Sequence, residues 1–422
     1  MSRLYNVIVI GGGPAGMMSA VSAADIVDEV LILEKNEKLG KKLFLTGHGR
    51  CNVTNISDNE TYERKIFRNA RFMRSALARF TPEAMISFLE KHHVQTKQED
   101  SGRVFPESDK SSDIIRAFRR ALADKSVEVQ LETPVSDIRC TRDGTFVVQT
   151  SHGDRRSVSV ILATGGVSYP ATGSTGDGLR FAERLGHVTT ELHPGLAGLV
   201  SEAVPTSLIG LALRGSRICI RRDGKIVAQE DGDVLFTHYG LSGPAVFRAA
   251  CALADATGGP LLAEVNLSGK RTEQEIANML VDAAAANGNL QVNTVLSKII
   301  PKSAAAAAVT AAGVPIGKKL NQLTREERAS LARTIVSYAV PIRSTRPIEE
   351  AIVTIGGVSV KSIDPSEMSS RVIPGLYFAG ELIDVSAYTG GYNLQIAYST
   401  GKVAGEAAAQ YVLTQQRRES GL

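Results

Sequence analysis

The apolar residues near the start of the chain fall in short unbroken runs separated by glycine. Val7 to Ile10 is continuously β-branched, the pattern of a strand buried on both faces. "GGGPAGMMSAVSAA" then turns on glycines and enters a helix. A second run, "EVLILEK" at 29–35, reads as a strand ending at Glu34. Similar runs return in "VSVILATGG" (158–166) and at Leu376 to Ala379. Strand, helix and strand in that succession predict an α/β fold built on a parallel sheet.

Between those runs the pattern changes. From about 192 to 268 the apolar segments are short, β-branched and punctuated by glycine, and Arg222-Asp223-Gly224-Lys225 reads as a hairpin turn. From 272 to 338 the period is helical. Thr272 with Glu275 and Thr324 with Glu327 form two capping boxes. "AVPIRSTRPIEEAIVTIGGV" (339–358) returns to strands. The middle of the chain therefore reads as an insertion, with no internal repeat and no long flexible linker.

The first glycine turn carries chemistry. Gly11, Gly13 and Gly16 form GxGxxG after a strand and at the start of a helix. Gly11 permits the turn, Gly13 lets backbone approach a pyrophosphate, and Gly16 allows close helix packing. Pro14 and Ala15 fall in the first helical turn, whose free N–H groups and dipole favour phosphate. Glu34 stands 18 residues beyond Gly16, where a carboxylate accepts from adenosine ribose hydroxyls. An acid there disfavours a 2′-phosphate, which points to FAD or NAD. Later segments favour FAD. Ala163, Thr164 and Gly165 end one strand, and "GSTGDGLRFAERLGH" (173–187) is a glycine-rich loop entering a helix. Gly380 and Glu381 end another strand, followed by Asp384, Thr389-Gly390-Gly391 and a long helix. A ligand held by both ends of the chain must be long, as FAD is.

Composition narrows the class. With 422 residues, 43% of them apolar, and 39 glycines, the chain reads as a loop-rich α/β enzyme of more than one domain. A net charge of +4 is no evidence for nucleic acid by itself. The four cysteines form no CxxC, so neither a metal knuckle nor a dithiol pair is expected. "MSRLYNVIVIGGG" reads as a strand and not a signal peptide, and no run approaches 18 uncharged apolar residues. A cytoplasmic protein without a membrane span is expected. There is no second GxGxxG, so NADH or NADPH as electron donor would have to dock transiently. Nothing in the pattern sets an oligomeric state.

"TGHGRCNVTN" (46–55) is too polar for a core and unusually rich in donors for an idle loop. It is expected to wall the redox cavity, with Thr46, Gly47 and Gly49 against a flavin edge; a structural turn held by its asparagine side chains is the alternative. Arg50, Asn52 and Asn55 would reach ring or substrate carbonyls. Cys51 is a candidate general acid, because a thiol of ordinary pKa is protonated at neutral pH, with a small buried hydrophobe as the alternative; His48 and Tyr388 are rival proton donors. Further cofactor contacts are expected from Lys35, Lys42, Val135, Gly391, Tyr392, Asn393 and Leu394. "FTHYGLSGPAVF" (236–247) offers His238, Tyr239 and Ser242, as substrate contacts or as a strand-to-helix turn; His238 is also a catalytic candidate. "YERKIFRNARFMRSALARF" (62–80) reads as one helix with Arg64, Arg68, Arg71 and Arg74 along a face. Arginines with aromatics suit RNA, and Arg71 and Arg74 are substrate candidates; a solvated basic face is the alternative.

The N-terminal glycine motif, "TGHGRCNVTN", "LFTHYGLSGPAV", "TIGGVSV" and "GLYFAGELIDVSAYTGGYNLQIAYSTG" occur in this order along the chain. In this it resembles the BaiN/YhiN-type flavoproteins, also described as aminoacetone-oxidase-like FAD-binding proteins, over nearly its whole length. The resemblance implies a Rossmann-like FAD-binding domain at 1–191 and 346–422. A β-barrel-like substrate domain at 192–270 and 334–345 would interrupt it, carrying a helical insertion at 271–333. It also implies an FAD-dependent oxidoreductase. Reduction of a C=C bond is the first reading, with uridine in large-subunit ribosomal RNA as a candidate substrate. A small-molecule flavoenzyme, such as an amine oxidase or a fumarate-reductase-like enzyme, and a non-catalytic flavin-binding protein are the alternatives.

Overall fold

Residues 3–254 and 258–420 are described by a computed structural model of the chain. They divide into two compact units, Met1–His193 with Val353–Leu422, and Pro194–Ile352. Each unit has its own apolar core.

The first unit is built on a seven-stranded sheet. Strand β1 (Leu4–Ile10) lies parallel between β2 (Val30–Leu33) and the strand Arg155–Leu162. The strand Glu128–Gln130 extends the sheet beyond β2, and Leu376–Phe378 pairs in parallel with Arg155–Leu162. Phe146–Thr150 and Val135–Cys140 add an antiparallel edge. Register decides where chemistry can gather. Ile10 sits opposite Leu33 and Leu162, and Leu162 opposite Phe378. The next residues, Gly11, Glu34, Ala163 and Ala379, therefore leave the sheet side by side at its carboxyl edge, where open α/β sheets bind ligands.

Helix α1 (Pro14–Ala24) follows the glycine turn, with proline in its first turn. The C-terminal helix, Tyr392–Ser420, packs along α1. A Cβ at Gly401 would stand 2.4 Å from the Ala15 carbonyl oxygen, and one at Gly405 2.2 Å from that of Ser19. Only glycine at these two positions, one helical turn apart, lets the two backbones approach so closely.

The second unit is an antiparallel sheet of seven strands. Its path runs from Tyr338–Ile342 through Leu261–Val265, Ala212–Arg222, Lys225–Thr237 and Gly240–Ser242 to Leu199–Val200 and Ser344–Thr345. First and last strands are separated by one residue of chain, so the sheet curls back to where it began, as in a barrel. The hairpin at Asp223 and Gly224 has φ of 48° and 76°, as a I′-type turn requires. Both capping boxes form, on the helices Glu273–Asn287 and Arg325–Val336. These helices bury Ile276, Leu280 and Leu331 in one core with the sheet residues Ile218 and Val265, so the helical stretch shares the barrel's core.

One element differs from the sequence expectation. Residues 62–80 are not a single helix. The helix Asn59–Lys65 stops, Ile66–Arg68 forms a strand, Ala70–Met73 is a 3₁₀ turn, and a new helix spans Arg74–Arg79. The strand pairs with Ser386–Ala387, and Asn69 takes a left-handed backbone with φ of 57°. A distant partner thus overrides a local helical period, and Arg64, Arg68, Arg71 and Arg74 do not share a helix face.

Candidate functional site

The first group of candidate residues gathers at the sheet's carboxyl edge. The Gly12 N–H donates to Glu34 at 2.7 Å, and Asn36 donates to the same carboxylate through its backbone at 2.8 Å and its side chain at 2.7 Å. A Cβ at Gly11 would meet the Ala163 carbonyl oxygen at 2.5 Å, and one at Gly380 would meet the Ala15 methyl at 2.7 Å. Lys42 donates to Glu381 and to Ser168, each at 2.7 Å. Glu381 also accepts from the Thr354 N–H at 2.8 Å. Lys35 binds Asp177 at 2.6 Å and Thr175 at 2.5 Å, tying the end of β2 to the glycine-rich loop at 173–187. The Thr133 N–H donates to the Glu34 carbonyl at 2.9 Å, which starts the strand of Val135 beside the same acid.

The second group centres on "TGHGRCNVTN". Gly47, His48, Gly49 and Cys51 all have positive φ, between 57° and 86°. For His48 and Cys51 this is a strained conformation that the surroundings must hold. Arg50 does part of that work. Its Nε donates to Asp109 at 2.8 Å, its Nη2 reaches Asp109 at 2.6 Å and also Glu99, and the guanidinium lies 4.1 Å over the Phe105 ring. Arg50 holds Glu99 below the usual carboxylate range, and Lys97 together with Arg50 does the same for Asp109. Arg50 is therefore engaged within the polypeptide. Cys51 is fully buried, and burial pushes its thiol up to about 12. His48 is exposed.

The end of this loop is stitched to the start of the C-terminal helix. Asn55 donates to the Gly390 carbonyl at 2.9 Å, and Thr54 donates to Gln395 at 2.7 Å. A Cβ at Gly391 would collide with the Thr54 backbone at 2.4 Å. Asn393 exchanges two hydrogen bonds with the Ala387 backbone, at 2.9 and 2.7 Å. The Tyr392 ring packs edge-on against Tyr62, and the Tyr388 ring lies 4.9 Å from Phe67. Leu394 packs partly buried against the core. Buried Asp384 pairs with Arg68 at 2.5 Å. His238 and Tyr239 belong to the second unit, where their rings meet edge-on and Arg346 covers Tyr239 at 4.7 Å.

Several participants lie outside the residues singled out from sequence: Asn36, Ser168, Glu99, Asp109, Gln395 and Thr354. Thr354 had a signal, since it opens "TIGGVSV". Its hydroxyl accepts from the Val167 N–H at 2.9 Å and that of Ser168 at 3.2 Å, fixing the turn after Gly165. Asn36 binds Glu34 two residues away, whereas Ser168, Glu99, Asp109 and Gln395 needed partners far away in sequence.

Three features fit a dinucleotide flavin. A Cβ at Gly13 would meet no atom of the polypeptide within 4 Å, leaving open room at the start of α1. Thr164 Oγ1, at the sheet edge, and Asn52 Oδ1, in the polar loop, are buried without a hydrogen-bond partner. Buried polar atoms are normally paired, and the polar groups of a bound flavin would satisfy both. Among the described residues, no group of His, Cys, Asp or Glu is arranged to hold a metal ion, and no helix is long and apolar enough to cross a membrane.

The parallel sheet with this glycine turn and acid defines the class: a Rossmann-type dinucleotide-binding protein. The chain belongs to the family described as HI0933-like protein Rossmann domain, which matches residues 5–407. It is 28% identical to the 3-dehydro-bile acid delta(4,6)-reductase of Clostridium scindens, over 95% of this chain and 98% of that protein. It is 29% identical to the ribosomal RNA dihydrouridine synthase of Escherichia coli, over 94% of this chain and 96% of that one. Among solved structures, 3-ketosteroid delta1-dehydrogenase from Sterolibacterium denitrificans aligns with 97% of this chain at a TM-score of 0.53 and 15% identity. That last likeness is one of fold.

Proposed function

We propose that this chain uses FAD to reduce an activated C=C bond. One observation carries the reading: two relatives that match almost end to end are named for saturating such bonds, one in a bile acid and one in ribosomal uridine. Bound FAD supplies two-electron redox chemistry at its ring. Gly13 leaves room for the pyrophosphate beside the N-terminus of α1, and Glu34 accepts from the adenosine ribose. Asn52 and Thr164 offer their unpaired oxygens to the ligand. The N-terminus of the C-terminal helix favours negative charge by about 0.3–1 kcal/mol, or ~2 when partly buried. At ~30 mV per 1.4 kcal/mol for a two-electron couple, this tunes a potential by tens of millivolts and does not select a reaction.

Saturating the bond adds a hydride to one carbon and a proton to its neighbour. His48 and Tyr388 are the proposed proton donors. Cys51 is the weaker candidate, because a thiol buried and pushed up to about 12 gives up its proton reluctantly. NADH or NADPH, docking transiently, is the proposed source of electrons. Uridine in large-subunit ribosomal RNA is the proposed substrate, and a cytoplasmic location goes with it. A small molecule is the second reading. It is favoured by the internal pairing of Arg68 with Asp384, Arg74 with Glu63 and Arg79 with Glu406, which removes most of an expected basic face.

The test is mass spectrometry of nuclease-digested large-subunit ribosomal RNA from a strain lacking this chain. One dihydrouridine is expected to disappear and to return with the wild-type gene. Unchanged RNA would sink that substrate and leave the small molecule. A Cys51→Ala variant is expected to form product within about threefold of wild type; a loss above a hundredfold, the range of general acid catalysis, would return the thiol to the proton-donor role.

A further inference from the structure

Between 62 and 80, Arg64 pairs with Glu60, Arg68 with Asp384, Arg74 with Glu63 and Arg79 with Glu406. Arg71 alone among these arginines has no ion-pair partner among the described residues. It lines a cavity of about 520 Å³, together with Glu63, Asn69, Ala70, Phe72 and Val360. That volume falls in the range of small-ligand sites.

The lining has a definite chemistry. The Glu63 carboxylate is held by Arg74 Nη2 at 2.7 and 2.9 Å, so the acid on the rim is already neutralised. Phe72 and Val360 supply apolar surface that is partly packed against the core. The turn carrying Arg71 is fixed before any ligand arrives. Asn69 donates to the Asp384 carbonyl at 2.6 Å, Arg68 binds the Asp384 carboxylate at 2.5 Å, and the Phe72 N–H closes the turn on the Asn69 carbonyl at 3.0 Å. A guanidinium that lines a cavity on a fixed turn, with no carboxylate partner among the described residues, is suited to bidentate recognition of an oxyanion.

We infer that this cavity is a binding site for an oxyanion attached to an apolar or aromatic body, with Arg71 as its anchor. The strand Ile66–Arg68 links the cavity to Ser386–Ala387, next to Tyr388, one of the proposed proton donors. The site therefore holds a part of the substrate remote from the reacting bond. Two sources share this chemistry: a phosphodiester beside a nucleobase, and a carboxylate on a hydrocarbon skeleton. The inference names a recognition element for the proposed reductase, but it is read by binding without turnover, so its failure leaves the reductase reading standing.

The experiment uses the full FAD-loaded chain as wild type, Arg71→Ala, Arg71→Gln and Arg71→Lys. Two probes are titrated: a fluorescein-labelled single-stranded RNA oligonucleotide, by anisotropy at several salt concentrations, and cholate, by calorimetry. Flavin content and far-UV circular dichroism report folding, and Arg71 is exposed. Arg71→Ala and Arg71→Gln are expected to weaken one probe about tenfold, with Arg71→Lys intermediate. Weakened RNA binding, with the log K against log[salt] slope reduced by ~0.7, identifies the phosphodiester. Weakened cholate binding identifies the carboxylate. Both probes unaffected by the substitutions, or neither binding the wild type, overturns the site.

Discussion

At Gly16 an added Cβ would stand 1.9 Å from the Gly11 carbonyl oxygen, whereas at Gly13 it would meet nothing within 4 Å. Gly13 has φ of −77°, which any residue adopts, so its glycine is not demanded by the polypeptide. The open side belongs to a ligand. Gly13→Ala is therefore expected to change apo-protein stability by less than about 1 kcal/mol while weakening FAD at least tenfold. Gly16→Ala is expected to cost about 1–3 kcal/mol of stability as an overpacked site. Urea denaturation and flavin titration separate the two, and undiminished FAD affinity in Gly13→Ala would remove the pyrophosphate from that turn. At this scale the motif was legible, because a turn glycine acts through its own backbone. Arg50 was not: its type predicted a donor to flavin or substrate, and its partners Glu99 and Asp109 stand 49 and 59 residues away.

The C-terminal helix and α1 meet through Gly401 and Gly405, with no Cβ between the backbones. The positive end of α1 is the proposed seat of the pyrophosphate, so the helix that presses on α1 also positions that seat. Gly405→Val has to displace the Ser19 carbonyl, 2.2 Å from its Cβ. It is expected to lower stability by about 1–3 kcal/mol and to weaken FAD as well, although residue 405 lies more than three turns beyond the start of its own helix. Thermal denaturation with and without FAD checks this; an unchanged gain in melting temperature on adding FAD would uncouple the helix from the cofactor. Element-level signals were readable where they are local: two capping boxes, the Asp223-Gly224 hairpin and the helix after Gly176 all form. The broken segment 62–80 was unreadable because its strand is made by pairing with Ser386–Ala387.

The molecule is two units, each with a buried core of its own. The proposed FAD-holding residues fall within the first, and the first unit comprises both ends of the chain. A chain in which a short Gly-Ser linker replaces 194–352 is expected to unfold cooperatively and still bind FAD, and to lose substrate turnover. Scanning calorimetry and flavin absorbance check it; an aggregated or flavin-free product would show that the first unit depends on the second. What the sequence determined by itself was the glycine turn, the acid after the second strand, the insertion and the helix caps. Each is a short-range property of steric freedom, periodicity or local hydrogen bonding, carried by residues within a few positions of one another. Only the tertiary structure decided that Lys42 meets Glu381 across 339 residues, that Asp384 takes up Arg68 across 316, and that Arg71 is left to face a cavity. The physical reason is that a charge has no fixed role until folding sets its nearest opposite charge, and no local pattern encodes that distance.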